Sequence, residues 1–356
     1  MKALYITSVV TFSGKTAICL GLGLHAQNKG HKVGYFKPLS MQGYRVGDQI
    51  VDEDAEFVRR VLQLETTAAD ISPLVVTESL MQSVLDGKAD TEELWKRVEA
   101  AYDTAAQNKD LVLLEGGASM RDGFAIGLNT IGVVRRLDVP ALSVVRWRPE
   151  ANLLDDIMAT KHRLQERLFG VILNSIPETQ WDYMKNKMAP YLEKEGIPVY
   201  GVLPHQQQLM AISVGELANL LDAEILTGEN AQSRLVENLS VGAMTVEAAL
   251  PLFRRQVNKA VITGGDRTDI QAAALETSTV CLILTGNLQP SATVLRRAEE
   301  TGIAVLLVSS PTIDAVEKIE GVFGKTRLGQ AEKLNRFQAM LAEHLEYDRL
   351  LSDLGV

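Results

Sequence analysis

The sequence is short of the features that would take it away from ordinary globular proteins. Its 356 residues hold two cysteines, Cys19 and Cys281, far apart and in apolar segments. That argues against a disulfide framework or a cysteine metal site and leaves packed thiols, as a reducing cytosol allows. The five histidines show no ligand spacing. Basic charge is also scarce, with 36 Lys and Arg against 45 Asp and Glu and a net charge of −9. Nucleic acid is therefore not expected as the main partner, because binding its backbone wants a basic surface. No apolar run approaches the ~20 residues a membrane helix needs, so a membrane is not expected as a partner either. Met1-Lys2-Ala3-Leu4 enters a strand directly, without a signal-peptide pattern, and the expected location is cytoplasmic. There is no long repeat, heptad array or low-complexity run.

What remains is a composition that folds. Hydrophobic residues make up 46% and charged residues 23%, ordinary values for a globular protein. The length suggests about two domains, since one core rarely serves more than ~250–300 residues. Over the first two hundred residues, short aliphatic stretches alternate with longer amphipathic ones. Strands are expected at residues 3–7, 32–36, 111–114, 141–145, 169–173 and 199–202. Helices are expected at residues 17–28, 52–63, 92–106, 152–166 and 180–193. Strands rich in Val, Ile and Leu without polar alternation are buried on both faces, which describes a parallel sheet wrapped by helices. Ligands of such sheets lie at the carboxyl ends of the strands. Residues 204–208 read as a connection, after which the pattern restarts. Strands are then expected at 257–263, 280–284 and 303–308, with helices at 269–276 and 292–300 between them. From residue 330 onward Phe337, Met340, Leu341, His344 and Leu345 fall at helical spacing, the pattern of an amphipathic helix that covers the domain or meets a partner.

Gly14-Lys15-Thr16 is the most informative tripeptide. It follows the first strand and opens the first helix. A helix start offers unpaired N–H groups and partial positive charge, the lysine adds a full charge, and the threonine hydroxyl can ligate Mg²⁺. The usual phosphate loop has glycine where this chain has Val9, so a helix start with a solvated lysine is the plain alternative. Other polar residues sit at strand ends. Lys37 closes the second strand ahead of Pro38, where it either points into the crevice with Lys15 or caps the strand in solvent. Two neighbouring cations suit an anion between them. Glu115 follows four aliphatics and precedes Gly116-Gly117, a place from which an acid holds Mg²⁺. Asp54 lies in Asp52-Glu53-Asp54 at a helix start, where capping alone explains an acid. Asn174 ends the strand at 169–173 and reads either as a purine-edge contact or as a turn residue. Thr263-Gly264-Gly265-Asp266-Arg267-Thr268-Asp269 joins a strand to a helix, as an anion site or as a tight turn with Asp266 or Thr268 capping the helix.

Together these pieces carry a family resemblance. Ser13-Gly14-Lys15-Thr16, Tyr35-Phe36-Lys37-Pro38, Glu115-Gly116, Val171-Ile172-Leu173-Asn174 and Gly201-Val202-Leu203-Pro204 resemble dethiobiotin synthetase and its phosphate-loop relatives, the cobyrinic acid diamide synthases included. The resemblance implies a P-loop NTPase-like α/β fold, a mostly parallel sheet flanked by helices. It implies that Lys15 and Lys37 contact phosphate, and that Ser13, Gly14, Lys15, Thr16, Ala17, Asn174 and Pro204 line the nucleotide, with Asn174 reading adenine. Thr16, Asp54 and Glu115 would gather Mg²⁺, which raises Asp54 from a cap to a metal ligand. The whole chain resembles the N-terminal regulatory region of long bacterial phosphate acetyltransferases, in which a dethiobiotin-synthetase-like domain precedes a DRTGG domain. The segment from Thr263 to Asp269 and Leu284-Thr285-Gly286 carry that second resemblance. The expected domains are 1–208, a smaller α/β domain at 209–330 and a helical tail at 331–356.

Departures shape the functional expectation. Dethiobiotin synthetases have an acid where this chain has Phe12 and a glycine where it has Ser8, and the pocket segment here reads Gly117-Ala118-Ser119-Met120. The phosphate and metal side is kept while the diaminoacid side has changed. The leading expectation is a regulatory module that binds Mg²⁺ with ATP or GTP, hydrolyses it slowly or conditionally, and transfers no acetyl group itself. A small ligand at the second domain, a partner enzyme of acetyl-phosphate or acetyl-CoA metabolism, and a homodimer or higher homo-oligomer accompany it. The alternative is an ATP-dependent ligase of the dethiobiotin synthetase or cobyrinic acid diamide synthase type.

Overall fold

A computed structural model of the chain describes every residue except 42, 47, 48 and 321–330. The chain divides into two compact units. The first is Met1–His205 together with the C-terminal segment, and the second is Gln206–Arg327.

In chain order the strands of the first unit are β1 (Lys2–Thr7), β2 (Val33–Phe36), β3 (Gly43–Val46), β4 (Gln49–Asp52), β5 (Leu111–Glu115), β6 (Ala141–Arg146), β7 (Leu168–Ile176) and β8 (Val199–Pro204). Six of them form one parallel sheet ordered β2-β5-β1-β6-β7-β8. β2 and β5 are buried at every position, and β1 at all but its first, as uninterrupted aliphatic runs require when helices cover both faces. From β1 the chain goes to the edge strand β2, returns to β5 between them, then crosses to β6 and builds outward on the other side. β1 is thus the switch point, where a crevice opens beyond the carboxyl ends of the strands. Its register pairs Ile6 with Glu115, which sets the acid beside the last turn of β1.

Two helices matter for the site. α1 (Lys15–Asn28) leaves β1 through the loop that starts at Ser8, and α2 (Glu53–Val61) follows the hairpin made by β3 and β4. That hairpin lies between the expected second strand and second helix, where the sequence pattern signals no strand. The helix expected at 180–193 runs without interruption from Trp181 to Lys194, with a π-helical stretch at Met184–Met188 inside it.

The tail forms two helices, Ala331–His344 and Tyr347–Leu354, which pack on the first unit. Phe337, Met340, Leu341 and Leu345 are buried. Leu341 presses on α1 so closely that a Cβ on Gly21 would lie 2.1 Å from its Cδ1. Tyr347 stacks on His25 of α1 with ring centroids 3.9 Å apart. Leu345 bridges to Gly201, so the tail also covers the edge strand β8.

The second unit has β9 (Ile212–Ser213), β10 (Glu224–Thr227), β11 (Leu235–Val236), β12 (Asn238–Val241), β13 (Lys259–Gly264), β14 (Thr279–Thr285) and β15 (Ala304–Leu307). Its main sheet is ordered β10-β15-β14-β13-β12, parallel except for β10. The three expected strands correspond to β13, β14 and β15. β10 and β12 lack a fully buried aliphatic run, because both are short edge strands that are only partly covered. One face packs under helices Val246–Arg255, Thr268–Leu275 and Ala292–Thr301. The other packs under Val214–Leu221 and Thr312–Glu320. Cys19 and Cys281 are buried free thiols, one in each unit.

Candidate functional site

The site begins with a helix start left open. Gly14 caps α1 in the left-handed region at φ 95°, α1 has no side-chain cap, and its first turn holds no acid. The first N–H groups therefore have no side chain competing for them. Gly14 also has no room to be anything else, since a Cβ there would lie 2.7 Å from Asn174 Nδ2. Asn174 comes from β7, next to a bulge where Ser175 takes φ 59°. Its Nδ2 donates to the Ser13 carbonyl at 2.8 Å, and its Oδ1 accepts from the Ser175 N–H at 2.8 Å. Asn174 thus braces the loop, with one proton and one lone pair of its amide uncommitted in these two bonds.

Lys15 turns inward. Its ammonium donates to Ser8 Oγ at 2.8 Å and to the Ala118 carbonyl at 3.0 Å, and only 6% of the residue is exposed. Burial pushes its pKa down and the charge of Lys37 adds to that, while Glu115 opposes both. The reading of a solvated lysine is thereby excluded. Ser13 Oγ is buried with no hydrogen-bond partner, an unspent donor inside the loop.

The acids converge from three other elements. Glu115, at the end of β5, accepts from Thr16 Oγ1 at 2.6 Å and from the Tyr35 hydroxyl at 2.6 Å. Burial raises its pKa, and the neighbouring charge of Lys37 works the other way. Lys37 is buried, which by itself would strip its proton, but Glu115, Asp54 and Asp52 outweigh that and hold its pKa above the ordinary lysine value. Its Nζ lies 2.9 Å from Asp52, 3.2 Å from Asp54 and 3.9 Å from Glu115.

The structure thus brings Ser13, Gly14, Lys15, Thr16, Lys37, Asp54, Glu115 and Asn174 to one place. Ala17 is buried in the first turn of α1. Pro204 ends β8, three strands from β1, and pairs with Ile176. Asp54 lies in the first turn of α2 as expected of an acid at a helix start, while the cap itself is Asp52, whose Oδ1 accepts from the Ala55 N–H at 2.8 Å. Asp54 is left facing the site. Ser8, Tyr35 and Asp52 entered the sequence reading only inside motifs or as a departure, with no role at the site. Tyr35 and Asp52 carried a signal, as each lies two positions from a residue that was singled out.

A hydroxyl and two carboxylates, Thr16, Asp54 and Glu115, form a set of hard oxygen donors suited to Mg²⁺. Among the described residues no three acidic, His or Cys side chains cluster as a metal site.

The loop of the second unit is built differently. Its helix is capped at Arg267, with no side-chain bond, so neither Asp266 nor Thr268 is the cap. Gln271 Nε2 donates to the carbonyls of Gly264 and Gly265, both at 3.0 Å. Arg267 pairs with Asp269 at 3.0 Å on the surface.

Comparison with known proteins agrees with this division. A family model described as AAA domain matches residues 2–213, and one described as DRTGG domain matches residues 216–322. The phosphate acetyltransferase of Pseudomonas putida is 26% identical over 97% of this chain and 51% of its own length. That of Nitrosomonas europaea is 24% identical over 100% of this chain and 52% of its own. The chain spans about half the length of the curated relatives it matches. Among solved structures, the cell division protein MinD of Aquifex aeolicus is 18% identical, covering 59% of this chain and 84% of its own with a TM-score of 0.36. The CBS and DRTGG domains of a Clostridium perfringens pyrophosphatase regulatory region, complexed with the activator diadenosine tetraphosphate, are 20% identical, covering 39% of this chain and 70% of their own with a TM-score of 0.30. With a strand, an open helix start and a buried lysine at its switch point, and a match that covers more than half of its length, the chain belongs to the AAA domain family.

Proposed function

We propose that the first unit binds a nucleoside triphosphate with Mg²⁺, ATP before GTP, and that the chain works as a nucleotide-responsive regulatory module. The observation that carries this is the convergence of Lys15, Lys37, Thr16, Asp54 and Glu115 around the uncapped start of α1. In this reading the N–H groups of α1 and the Lys15 ammonium hold the β- and γ-phosphates. Lys37 faces the terminal phosphate, and the spare amide valences of Asn174 meet the base. Thr16, Asp54 and Glu115 would hold Mg²⁺, which would supply positive charge against the phosphates. Phosphoryl transfer asks little covalent work of a protein, so slow or conditional hydrolysis is compatible with these groups.

The second unit takes a small ligand in this proposal. The module acts as a cytoplasmic homodimer on an enzyme of acetyl-phosphate or acetyl-CoA metabolism, the class to which its longer relatives belong, and transfers no acetyl group by itself. Titration of ATP, GTP and ADP with Mg²⁺, repeated with Lys15→Ala and Glu115→Ala, tests the site. Affinity that both substitutions leave unchanged would sink it. Phosphate release measured with and without a diaminoacid and bicarbonate separates module from ligase, since strong stimulation would favour the ligase.

A further inference from the structure

The two aspartates on Lys37 differ in their surroundings. Asp52 has a side chain only 3% exposed, that of Asp54 is 54% exposed. Asp52 is fixed on every side: both its carboxylate oxygens lie 2.9 Å from Lys37 Nζ, the Ala55 N–H donates to it at 2.8 Å, and the Ser40 hydroxyl donates to it as well. Asp54 stands on the first turn of α2, with Lys37 as its partner among the described hydrogen bonds and ion pairs. One carboxylate is a fixture and the other is free to turn.

We infer that Asp52 is a positioning residue, the counter-ion that keeps Lys37 at the site when Asp54 turns to a divalent cation. The inference rests on the reading of the first unit as a Mg²⁺–nucleotide site. Its physical basis is the charge balance of the cluster. Lys15 and Lys37 face Asp52, Asp54 and Glu115, which leaves one net negative charge. A divalent cation drawn to Asp54 and Glu115 takes away the partners that Lys37 shares with it and repels the ammonium at close range. A buried ammonium left without a counter-ion does not hold its place. Asp52 lies on the far side of that exchange, too deeply held to join it, and lets ammonium and metal coexist.

The capping role of Asp52 allows a clean test, because asparagine caps a helix as well as aspartate does but brings no charge. In Asp52→Asn, Lys37 is left to compete for Asp54. The Mg²⁺ concentration at half-maximal nucleotide binding, read by calorimetry, is expected to rise about tenfold, within the usual range of coupling between sites. The rise is expected to vanish in a Lys37→Met background, where there is no ammonium to retain. Ser40→Ala, which loosens Asp52 without touching its charge, is expected to shift the midpoint two- to threefold in the same direction, and it carries the test should Asp52→Asn fold poorly. An unshifted Mg²⁺ midpoint in both variants, or an equal shift in the Lys37→Met background, would overturn the inference while leaving the site reading standing. Wild-type protein that binds no Mg²⁺–nucleotide would overturn both.

Discussion

Each unit of this chain runs a strand into a glycine-bearing loop and then into a helix, and the two loops treat charge in opposite ways. The loop of the first unit takes charge inside. Lys15, Lys37 and Glu115 are 6%, 6% and 2% exposed and are held by hydroxyls, carbonyls and one another. The loop of the second unit keeps charge outside and closes on itself. Arg267 and Asp269 pair in solvent, and the Gln271 amide takes up the two glycine carbonyls. A glycine loop ahead of a helix is therefore only a permissive feature. Desolvated ions of both signs gathered at strand and helix ends are what mark a site prepared for an ionic ligand.

The largest expected effect contrasts the two cations. Lys15→Ala should weaken Mg²⁺–ATP binding by about a hundredfold or more, the usual size of a lost preorganised donor. Arg267→Ala should leave that binding within about twofold, since surface pairs contribute little. Equal losses would erase the distinction between the loops. Next comes Gly265→Ala. A Cβ there would lie 1.7 Å from the Leu288 carbonyl oxygen, backbone against backbone. The second unit should lose about 3 kcal/mol of stability, the upper end of overpacking, read by chemical denaturation. Gly14→Ala follows, at about 1–2 kcal/mol for the left-handed backbone, with nucleotide affinity falling as Asn174 is displaced. A stabilised Gly14→Ala protein would show that the loop is not held as described.

The smallest effect concerns the buried lysine of the second unit. Lys259 donates to the carbonyls of Gln256 and Ser278, with no carboxylate partner among the described residues, and burial pushes its pKa down to about 8. Below pH 8 it is charged in both folded and unfolded chains. Between about pH 8 and 10.5 the unfolded chain binds more protons, so stability should rise with pH across that window. Lys259→Met should flatten the rise, as shown by denaturation at pH 7.5 and 10. A rise that persists in the variant would assign it to another group.

Much of the framework was legible before any coordinates. The aliphatic runs of β1, β5, β6 and β7 announce a buried parallel sheet, and Gly14-Lys15-Thr16 announces an open helix start, because both signals are local. The hairpin of β3 and β4 and the edge strands β10 and β12 escaped, since short, partly covered strands need no unbroken aliphatic run. The π-helical stretch inside the helix expected at 180–193 escaped as well, because it keeps helical composition. In the site, Lys15, Lys37, Thr16 and Glu115 could be named from their positions at strand and helix ends. Asp52 and Tyr35 carried only their nearness to Asp54 and Lys37, as nothing local distinguishes a carboxylate that caps a helix from one that also grips a lysine fifteen residues away.

By itself the sequence determined the alternation of strand and helix and the parallel, helix-covered sheet, because periodicity and aliphatic runs act over a few residues. Only the tertiary structure decided that Glu115 stands beside Thr16, that Lys37 is shared among three carboxylates, and that Asp52 rather than Asp54 caps α2. Those outcomes depend on the register of β1 against β5 and on which groups are removed from water, and both are set by contacts between residues up to a hundred positions apart.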